Sequence, residues 1–129
     1  MKKLTYKEAG VDIEKATIFK RRIKQLVRKS FTRAVLKDIC GFCSFFEFPR
    51  AGFRRPVLVS SSDGVGTKLK IAALADKHDT VGIDAVAMNV NDILCTGAQP
   101  LFFVDYIASG RLDPAVLYQV VKGINTGCL

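Results

Sequence analysis

The pattern of apolar and polar residues divides the chain into three helical segments. In the first, residues 12–30, apolar side chains recur every three or four residues and basic residues fill the other face. The second, from Asp79 or Thr80 as N-cap to about Cys95, is apolar over most of its circumference, which predicts a helix buried all round. The third spans residues 114–125, with Asp113 as N-cap and a proline at its first position.

Strand-forming segments lie between these helices. Residues 57–60 form a short apolar run, and residues 101–107 form a longer β-prone run typical of a central strand. Residues 40–55 contain phenylalanines interrupted by glycine and proline, which predicts one or two short strands with a turn near 49–52. Residues 69–75 fit a strand end or a short helix. The alternation of strands and helices indicates an α/β or α+β domain.

Length and composition are those of an ordinary globular domain. The chain has 129 residues, of which 49% are hydrophobic and 25% charged. No apolar run follows the basic N-terminus, and no apolar stretch is long enough to cross a bilayer. We therefore expect a cytoplasmic protein without membrane association.

The formal net charge of +8 is concentrated in one part of the chain, residues 20–37. Such a basic run can bind nucleic acid or another polyanion. Helical spacing of the intervening apolar residues equally fits a solvent-exposed helix face. Because no aromatic platform is interleaved within residues 20–29, as a single-strand binder would need, we expect no nucleic-acid partner. A basic polyanion-binding module is the alternative interpretation.

The cysteines and the single histidine give weaker indications of chemistry. Cys40 and Cys43 form a C-x-x-C pair, which has the spacing of half a zinc site or of a redox motif. Zinc needs four ligands and the chain has no second pair, so partly buried loop cysteines are the favoured interpretation. His78 is not accompanied by a glycine-elbow serine motif.

The most informative segment is Ser-Ser-Asp-Gly-Val-Gly-Thr-Lys at residues 61–68, directly after the first apolar run. Its glycines let the backbone turn and approach a ligand without a Cβ in the way. Asp63 offers a hard oxygen ligand that suits Mg²⁺, and the threonine and lysine add a hydroxyl and a cation. The spacing is neither that of a P-loop nor that of the dinucleotide fingerprint. The segment predicts a site for a phosphorylated ligand and its metal, with a glycine turn bearing surface charges as the alternative.

Polar residues in the second helical segment indicate another part of this site. Asp84 lies seven and eight residues before Asn91 and Asp92, so the three share one helix face. Because polar groups in a buried helix are costly unless satisfied, Asn91 and Asp92 are expected to meet a metal, a ligand or a partner backbone. An internal capping network is the alternative. Asp105 interrupts the longer β-prone run and is expected to point at the same site as Asp63.

Five sequence blocks occur in an order that indicates a family. They are the Tyr-Lys-Glu-Ala-Gly-Val-Asp, Ser-Asp-Gly-Val-Gly-Thr-Lys, His-Asp-Thr-Val-Gly-Ile-Asp, Val-Ala-Met-Asn-Val-Asn-Asp and Gly-Ala-Gln-Pro-Leu-Phe-Phe-Val-Asp-Tyr blocks, at residues 6–12, 62–68, 78–84, 86–92 and 97–106. Together they resemble the N-terminal half of the phosphoribosylformylglycinamidine cyclo-ligase family, also called AIR synthetase. The wider superfamily, which includes thiamine-monophosphate kinase and selenophosphate synthetase, shares only the scattered acids and the Gly-Ala-x-Pro turn.

The resemblance implies an ATP-dependent enzyme of de novo purine biosynthesis. In this family ATP phosphorylates the amide oxygen of formylglycinamidine ribonucleotide (FGAM), an internal nitrogen attacks the activated carbon, and phosphate leaves to give aminoimidazole ribonucleotide (AIR). Family members are homodimers whose N-terminal sheets join, so the implied fold is a mixed sheet packed by helices and completed by dimerisation. Another phosphorylating member of the superfamily is the alternative enzyme.

The resemblance also implies roles for individual residues. Asp63 and Asp92 are the implied Mg²⁺ ligands, and Lys68, as an electrostatic clamp on phosphate, is implied to be catalytic together with Asp63. The residues implied to line the ATP or phosphate site are Gly64, Gly66, Thr67, Lys68, Asn91 and Asp105. Asp84 and His78 match family blocks without an assigned role.

Two features depart from the family pattern. The family usually has a glycine-rich segment where this chain has residues 38–44, and only Gly41 and Phe42 keep that character. The family's chain is also more than twice as long. We therefore expect residues 1–129 to form one N-terminal ATP-binding domain, without the C-terminal domain and inactive by itself.

Overall fold

The fold is described by a computed structural model that covers residues 5–39, 43–49 and 52–129. The four α-helices within these ranges are α1 (Ile13–Val27), α2 (Lys68–Leu74), α3 (Asp79–Cys95) and α4 (Pro114–Gly127). A single 3₁₀ turn, Arg28–Ser30, extends α1 to the predicted end of the first helical segment. Among the described helices, none combines the length and the apolar character that a membrane span requires.

The N-caps of α1 and α4 begin these helices where the sequence predicts. The N–H of Lys15 donates to Asp12 Oδ1 at 3.0 Å. Asp113 Oδ1 accepts from the N–H groups of Ala115 and Val116 at 2.9 and 3.2 Å. Each carboxylate satisfies backbone donors that the first helical turn leaves unpaired. The α4 helix ends two residues later than predicted.

The α3 helix has the predicted bounds but neither the predicted cap nor the predicted burial. The N-cap is His78, whose backbone already turns into the helix (φ −115°, ψ −6°), so Asp79 and Thr80 lie inside it. Ile83 and Leu94 are 41% and 54% exposed. The prediction of burial all round is therefore wrong for this chain, because α4 covers one side of α3 and the short α2 covers little more.

The core lies between α3 and α4, which cross at glycines. A Cβ built on Gly123 of α4 would lie 1.9 Å from the carbonyl oxygen of Asp79 and 3.0 Å from the Cα of Gly82. Backbone therefore meets backbone here, and a side chain at Gly123 has no space. The buried apolar side chains of the described core are Ala72, Val81, Val86, Leu117, Val121 and Ile124.

The region predicted to hold one or two short strands contributes to a single antiparallel β-bridge, between Val35 and Phe46. Two backbone hydrogen bonds of 2.9 and 2.7 Å flank the bridge. Cys40, Gly41 and Phe42 lie outside the described residues, as does part of the predicted turn near 49–52. The C-x-x-C prediction therefore stays untested at its first cysteine, and Cys43 is an exposed free thiol.

The two β-prone runs at residues 57–60 and 101–107 do not form strands in the described chain. Both are irregular, and neither forms a backbone hydrogen bond with another described residue. Strand propensity yields a strand only when a neighbouring strand supplies the hydrogen-bond partners. The predicted mixed sheet is therefore not confirmed, and the regular structure that is described is helical.

The chain exposes more surface than a compact protein of its mass. Its accessible surface is 10,377 Å², whereas a compact monomer of 14.2 kDa exposes about 6,800 Å². The β-prone runs contribute to this surface, since Val57 is 83% exposed, Val104 73% and Tyr106 91%. Apolar exposure on this scale is typical of a surface that contacts another polypeptide.

An ion-pair cluster joins the end of α1 to the loop that follows it. Asp38 Oδ2 lies 3.2 Å from Lys24 Nζ and accepts a hydrogen bond from Arg28 Nε at 2.8 Å. Desolvation acts to raise the pKa of the Asp38 carboxyl, but hydrogen bonds from Lys24, the Ile39 backbone and Arg28 outweigh it and hold that pKa below 3.8. The folded state therefore favours the ionised carboxyl.

Replacement of this carboxyl should change how stability depends on pH. A lowered folded-state pKa contributes stability above pH 3.8, and that contribution is lost as pH falls through the lowered value. We expect Asp38→Asn to be less stable than the wild type in urea unfolding at neutral pH, and the difference to shrink as the pH falls below 3.8. Glu47→Gln, at a site without a described ion pair, is the control. An Asp38→Asn deficit of unchanged size in acid would contradict this assignment.

Candidate functional site

The glycine turn (residues 61–68) docks against one face of α3 through Asn89. The N–H of Asp63 donates to Asn89 Oδ1 at 2.9 Å, and Asn89 Nδ2 donates to the carbonyl oxygen of Asp63 at 3.1 Å. Asn89 Nδ2 also donates to the carbonyl oxygen of Ala85 at 2.8 Å. Because Asn89 is only 7% exposed, its amide meets the turn inside the protein, where an unpaired polar group would be costly.

Two side-chain contacts flank this anchor. Ser61 Oγ donates to Asp92 Oδ2 at 2.8 Å, and Lys68 Nζ donates to Asp84 Oδ2 at 3.0 Å. The Lys68 and Asp84 side chains are 49% and 43% exposed, so water screens the pair and it contributes at most about 1 kcal/mol. A phosphate that approaches the turn can therefore replace Asp84 as the partner of Lys68 at small cost.

The backbone of the glycine turn leaves open space for a ligand. The N–H of Gly64 donates to Asp63 Oδ1 at 2.8 Å and holds that carboxylate over the turn. Gly66 has φ +61°, a left-handed conformation that glycine adopts without strain. A Cβ on either glycine would meet nothing within 4 Å. Thr67 is the N-cap residue of α2, but its hydroxyl makes no hydrogen bond to the backbone of that helix.

Most of the residues that the sequence singles out meet at this place. Those brought together on the turn or against it are Asp63, Gly64, Gly66, Thr67, Lys68, Asp84 and Asp92. The side chain of Asn91 is exposed and makes no hydrogen bond or ion pair with the residues that the structure describes. Its role as a nucleotide-binding residue stays a prediction.

The charge of Asp105 acts on Cys128, the C-cap of α4. Desolvation raises the pKa of the Asp105 carboxyl above 3.8, and a hydrogen bond from its own backbone opposes the rise. Desolvation, followed by the charge of Asp105, raises the pKa of the Cys128 thiol above 9.0. No hydrogen bond or ion pair among the described residues joins Asp105 to the turn, so its predicted place in the site also stays a prediction.

His78 contacts neighbouring loops and α4. Its backbone N–H donates to Gln119 Oε1 at 3.2 Å, and its imidazole Nε2 lies 3.6 Å from Asp76 Oδ1. The side chain is only 13% exposed. These contacts hold His78 at the start of α3. This is also the first residue of the family block at residues 78–84.

The carboxylates at the glycine turn fit a magnesium site that is shared with a ligand. No group of three or more His, Cys, Asp and Glu side chains within the described ranges could hold a metal ion alone. Magnesium in phosphoryl-transfer sites typically takes one or two carboxylates and completes its shell with phosphate oxygens and water. Asp63 and Asp92 each keep one carboxylate oxygen that accepts no hydrogen bond from a described residue. The pair therefore suits Mg²⁺ that arrives with a phosphorylated ligand.

A cleft of about 300 Å³ opens between α2 and α3, beside the Lys68–Asp84 pair. Its walls are mainly apolar and include Ile71 and Val81. The cleft reaches neither Asp63 nor Asp92, so it is a neighbour of the glycine turn and does not enclose it. A ligand held by the turn stays open to solvent on the other side.

The basic residues of α1 and of the 3₁₀ turn that follows it are partly engaged within the chain. Lys24 and Arg28 both pair with Asp38. The guanidinium carbon of Arg22 lies 4.4 Å from the centre of the Tyr118 ring in α4, which is a cation–π contact. Three of the cations that a polyanion would need therefore already have partners, and this favours the interpretation as a helix face.

Asn89 is the site residue that sequence reasoning missed. It lies in a family block, between Met88 and Val90 of the apolar second helical segment. The available signal was its position three residues before Asp92, which puts both polar side chains on neighbouring parts of one helix surface. Its partner, the backbone of Asp63, lies 26 residues away and could not be identified from spacing.

Known proteins resemble this chain over nearly all of its length. Residues 50–129 match the family described as AIR synthase related protein, N-terminal domain. A phosphoribosylformylglycinamidine cyclo-ligase from Trichlorobacter lovleyi is 58% identical over 124 residues, which is 96% of this chain and 36% of the relative. Proteins of the same name from Citrifermentans bemidjiense and Synechocystis are 54% and 56% identical over 98% and 97% of this chain. The chain spans about a third of the length of these relatives, 36% of each.

Proposed function

Because the chain belongs to the AIR synthase related protein family, whose N-terminal domain matches residues 50–129, we propose that residues 1–129 are the ATP-site domain of a phosphoribosylformylglycinamidine cyclo-ligase. The resemblance to this family is confirmed by the relatives of that name. The observation that carries the proposal is the docking of the glycine turn on α3, which assembles two carboxylates and a lysine around an open backbone turn.

The proposed reaction is the ATP-dependent closure of FGAM to AIR. The amide oxygen of FGAM attacks the terminal phosphorus of ATP, and ADP leaves. An internal nitrogen then attacks the activated carbon, the C–O bond breaks, and the former amide oxygen departs in inorganic phosphate. Such a reaction depends on positioning and on cations near the developing charge.

The residues of the glycine turn suit these requirements. Lys68 would place its ammonium beside the transferred phosphoryl group once phosphate replaces Asp84. Asp63 and Asp92 would hold Mg²⁺, which supplies charge neutralisation at phosphate oxygens when it is bound. Gly64 and Gly66 leave the backbone accessible to phosphate, since no atom within 4 Å would contact a Cβ there.

A second subunit would complete the site and the sheet. The turn residues Asp63, Gly64, Gly66 and Lys68 are exposed, whereas phosphoryl transfer to a substrate competes with hydrolysis unless water is excluded. The two β-prone runs, which form no backbone hydrogen bond with another described residue, offer backbone donors, acceptors and exposed apolar side chains. We infer a homodimer in which these runs form the predicted mixed sheet. Cytoplasmic location accords with this function and stays a prediction.

The test is FGAM-dependent release of ADP by the complete gene product that carries this chain. We expect ADP only when FGAM is present, and we expect Asp63→Asn to reduce the rate by about 100-fold or more, as loss of a group that stabilises developing charge typically does. Asp38→Asn, which removes an equal charge beside α1, should retain the rate. FGAM-independent ADP release by the wild type would point to another phosphorylating member of the superfamily.

A further inference from the structure

We propose that Asn89 is a positioning residue that fixes the metal-binding carboxylates of the glycine turn relative to each other, an inference that rests on the proposed function. The side chain uses both halves of its amide on Asp63, one as acceptor and one as donor. This reciprocal pair resembles the hydrogen bonds that a neighbouring strand would provide. A third bond, to Ala85, fixes the amide on α3 itself.

The other described hydrogen bonds between the glycine turn and α3 join side chain to side chain, from Ser61 and from Lys68. Residues 57–65 form no other hydrogen bond between their backbone and that helix, and Ser61 reaches α3 only through its hydroxyl. Gly64 and Gly66 have open space around them. Because glycine restricts the backbone least, the position of Asp63 depends on the amide of Asn89.

Asn89 also lies on the same helix as the second carboxylate. Asp92 follows it by three residues, so the two side chains are neighbours on the surface of α3. The separation of the Asp63 and Asp92 carboxylates is therefore set by rigid helix backbone together with two hydrogen bonds. Mg²⁺ held by both carboxylates would depend on this separation, because this ion tolerates little distortion of its ligand positions.

The amide is needed and a carboxylate would not replace it. Asp at position 89 could accept from the N–H of Asp63, but its second oxygen would face the carbonyl oxygen of Asp63 where Nδ2 now donates. Asn89→Leu would remove both bonds at similar volume. The two variants therefore break the anchor to different extents.

The chain contains a matched control. Asn125 on α4 is 5% exposed and is likewise a buried asparagine. Its Oδ1 has no hydrogen-bond partner in the described structure, and it makes no hydrogen bond to the glycine turn. Asn125→Leu therefore removes a buried amide from the same helical core without touching the proposed site.

The first measurement follows the anchor directly, by NMR hydrogen exchange of the Asp63 amide in the intact chain without ligand. We expect Asn89→Leu to accelerate this exchange by about tenfold or more, since each lost hydrogen bond is worth up to about a factor of ten. Asn125→Leu should leave the Asp63 rate at the wild-type value. Equal acceleration in both variants would show general loosening and overturn the proposal.

The second measurement is ATP affinity of the complete gene product, with Mg²⁺ and with EDTA. We expect Asn89→Leu, which removes both hydrogen bonds to Asp63, to weaken Mg–ATP binding about tenfold. Asn89→Asp, which keeps one of them, should weaken it less, and affinity in EDTA should stay unchanged in both variants. A purely structural role would lower both affinities together. Wild-type affinity for Mg–ATP in Asn89→Leu, despite faster Asp63 exchange, would overturn the positioning role.

The two measurements also separate this inference from the proposed function. If the wild type binds no Mg–ATP, the proposed function fails, and so does the proposal that Asn89 positions carboxylates for a metal. The exchange experiment still decides whether Asn89 anchors the turn. If the wild type binds Mg–ATP and Asn89→Leu behaves like Asn125→Leu in both experiments, only the inference about Asn89 fails.

Discussion

Gly123→Ala should destabilise the fold by about 3 kcal/mol or more, the upper range for forced overpacking. The new Cβ would lie 1.9 Å from the carbonyl oxygen of Asp79 and 2.9 Å from its carbonyl carbon. These are backbone atoms and cannot swing aside as a flexible side chain can, so α3 and α4 must separate. Alanine is the better helix former by about 1 kcal/mol. The steric effect exceeds this gain in helix propensity, so the substitution should lower the stability of the fold.

Urea unfolding followed by circular dichroism measures this effect. Gly110→Ala is the matched control, because nothing lies within 4 Å of the added Cβ and the glycine has no positive φ. Gly127→Ala should fall between the two, since the atoms nearest to its Cβ would be side-chain atoms of Val86, at 2.9 Å and beyond. Equal midpoints for Gly123→Ala and Gly110→Ala would mean that the helices do not cross as closely as described.

Asp92→Ala should abolish most of the magnesium dependence of nucleotide binding while the domain stays folded. The proposed ion would lose one of its two protein carboxylates, and we expect at least about tenfold weaker Mg–ATP binding, a loss equivalent to 1.4 kcal/mol. Asp92 is exposed, and the described contact of its side chain is the bond from Ser61. The fold therefore loses little when the side chain is truncated.

Calorimetric titration with ATP, with and without Mg²⁺, is the measurement. Ser61→Ala provides the control, because it removes the same hydrogen bond and keeps the carboxylate. We expect Ser61→Ala to retain most of the Mg–ATP affinity. If both variants lose affinity equally, the hydrogen bond matters and the metal assignment of Asp92 is wrong. Unchanged affinity in Asp92→Ala would likewise remove this residue from the metal site.

The helices could be predicted from sequence because their signals are local. Apolar side chains at helical spacing and the carboxylates of Asp12 and Asp113 mark segments that need no distant partner to be recognised. Burial of α3 could not be predicted in this way. An apolar circumference shows that a helix will be covered, but it does not show whether the cover comes from the same chain, and in this chain α4 covers one side.

The strands could not be established from sequence because pairing is not local. Residues 101–107 have the composition of a central strand, yet within the described chain they have no neighbour with which to form a ladder. Their exposure, 91% at Tyr106, fits the proposed pairing with another polypeptide segment. The same β-prone composition would fit either a sheet within one subunit or a sheet shared between subunits.

The candidate site was partly predictable for a similar reason. The chemistry of the glycine turn is contiguous in sequence, so Asp63, Gly64 and Lys68 could be selected from residue type and from resemblance. The contact of Ser61 with Asp92 joins residues 31 positions apart, and no local pattern announces it. The role of Asn89 could not be predicted, because a single polar residue in an apolar run does not show which backbone segment it binds.

The close crossing of α3 and α4 affects how far a tilt of α3 would move the residues along it. Gly82 is the point about which α3 would tilt, since a Cβ there would lie 2.2 Å from the carbonyl oxygen of Val120. Asn89 lies seven residues further along α3, about 10 Å from Gly82, so a tilt of α3 by about 10° would displace Asn89 by about 2 Å. A hydrogen bond does not tolerate such a displacement. The close contact of α3 with α4 at Gly82 therefore determines how precisely Asn89 can hold the glycine turn.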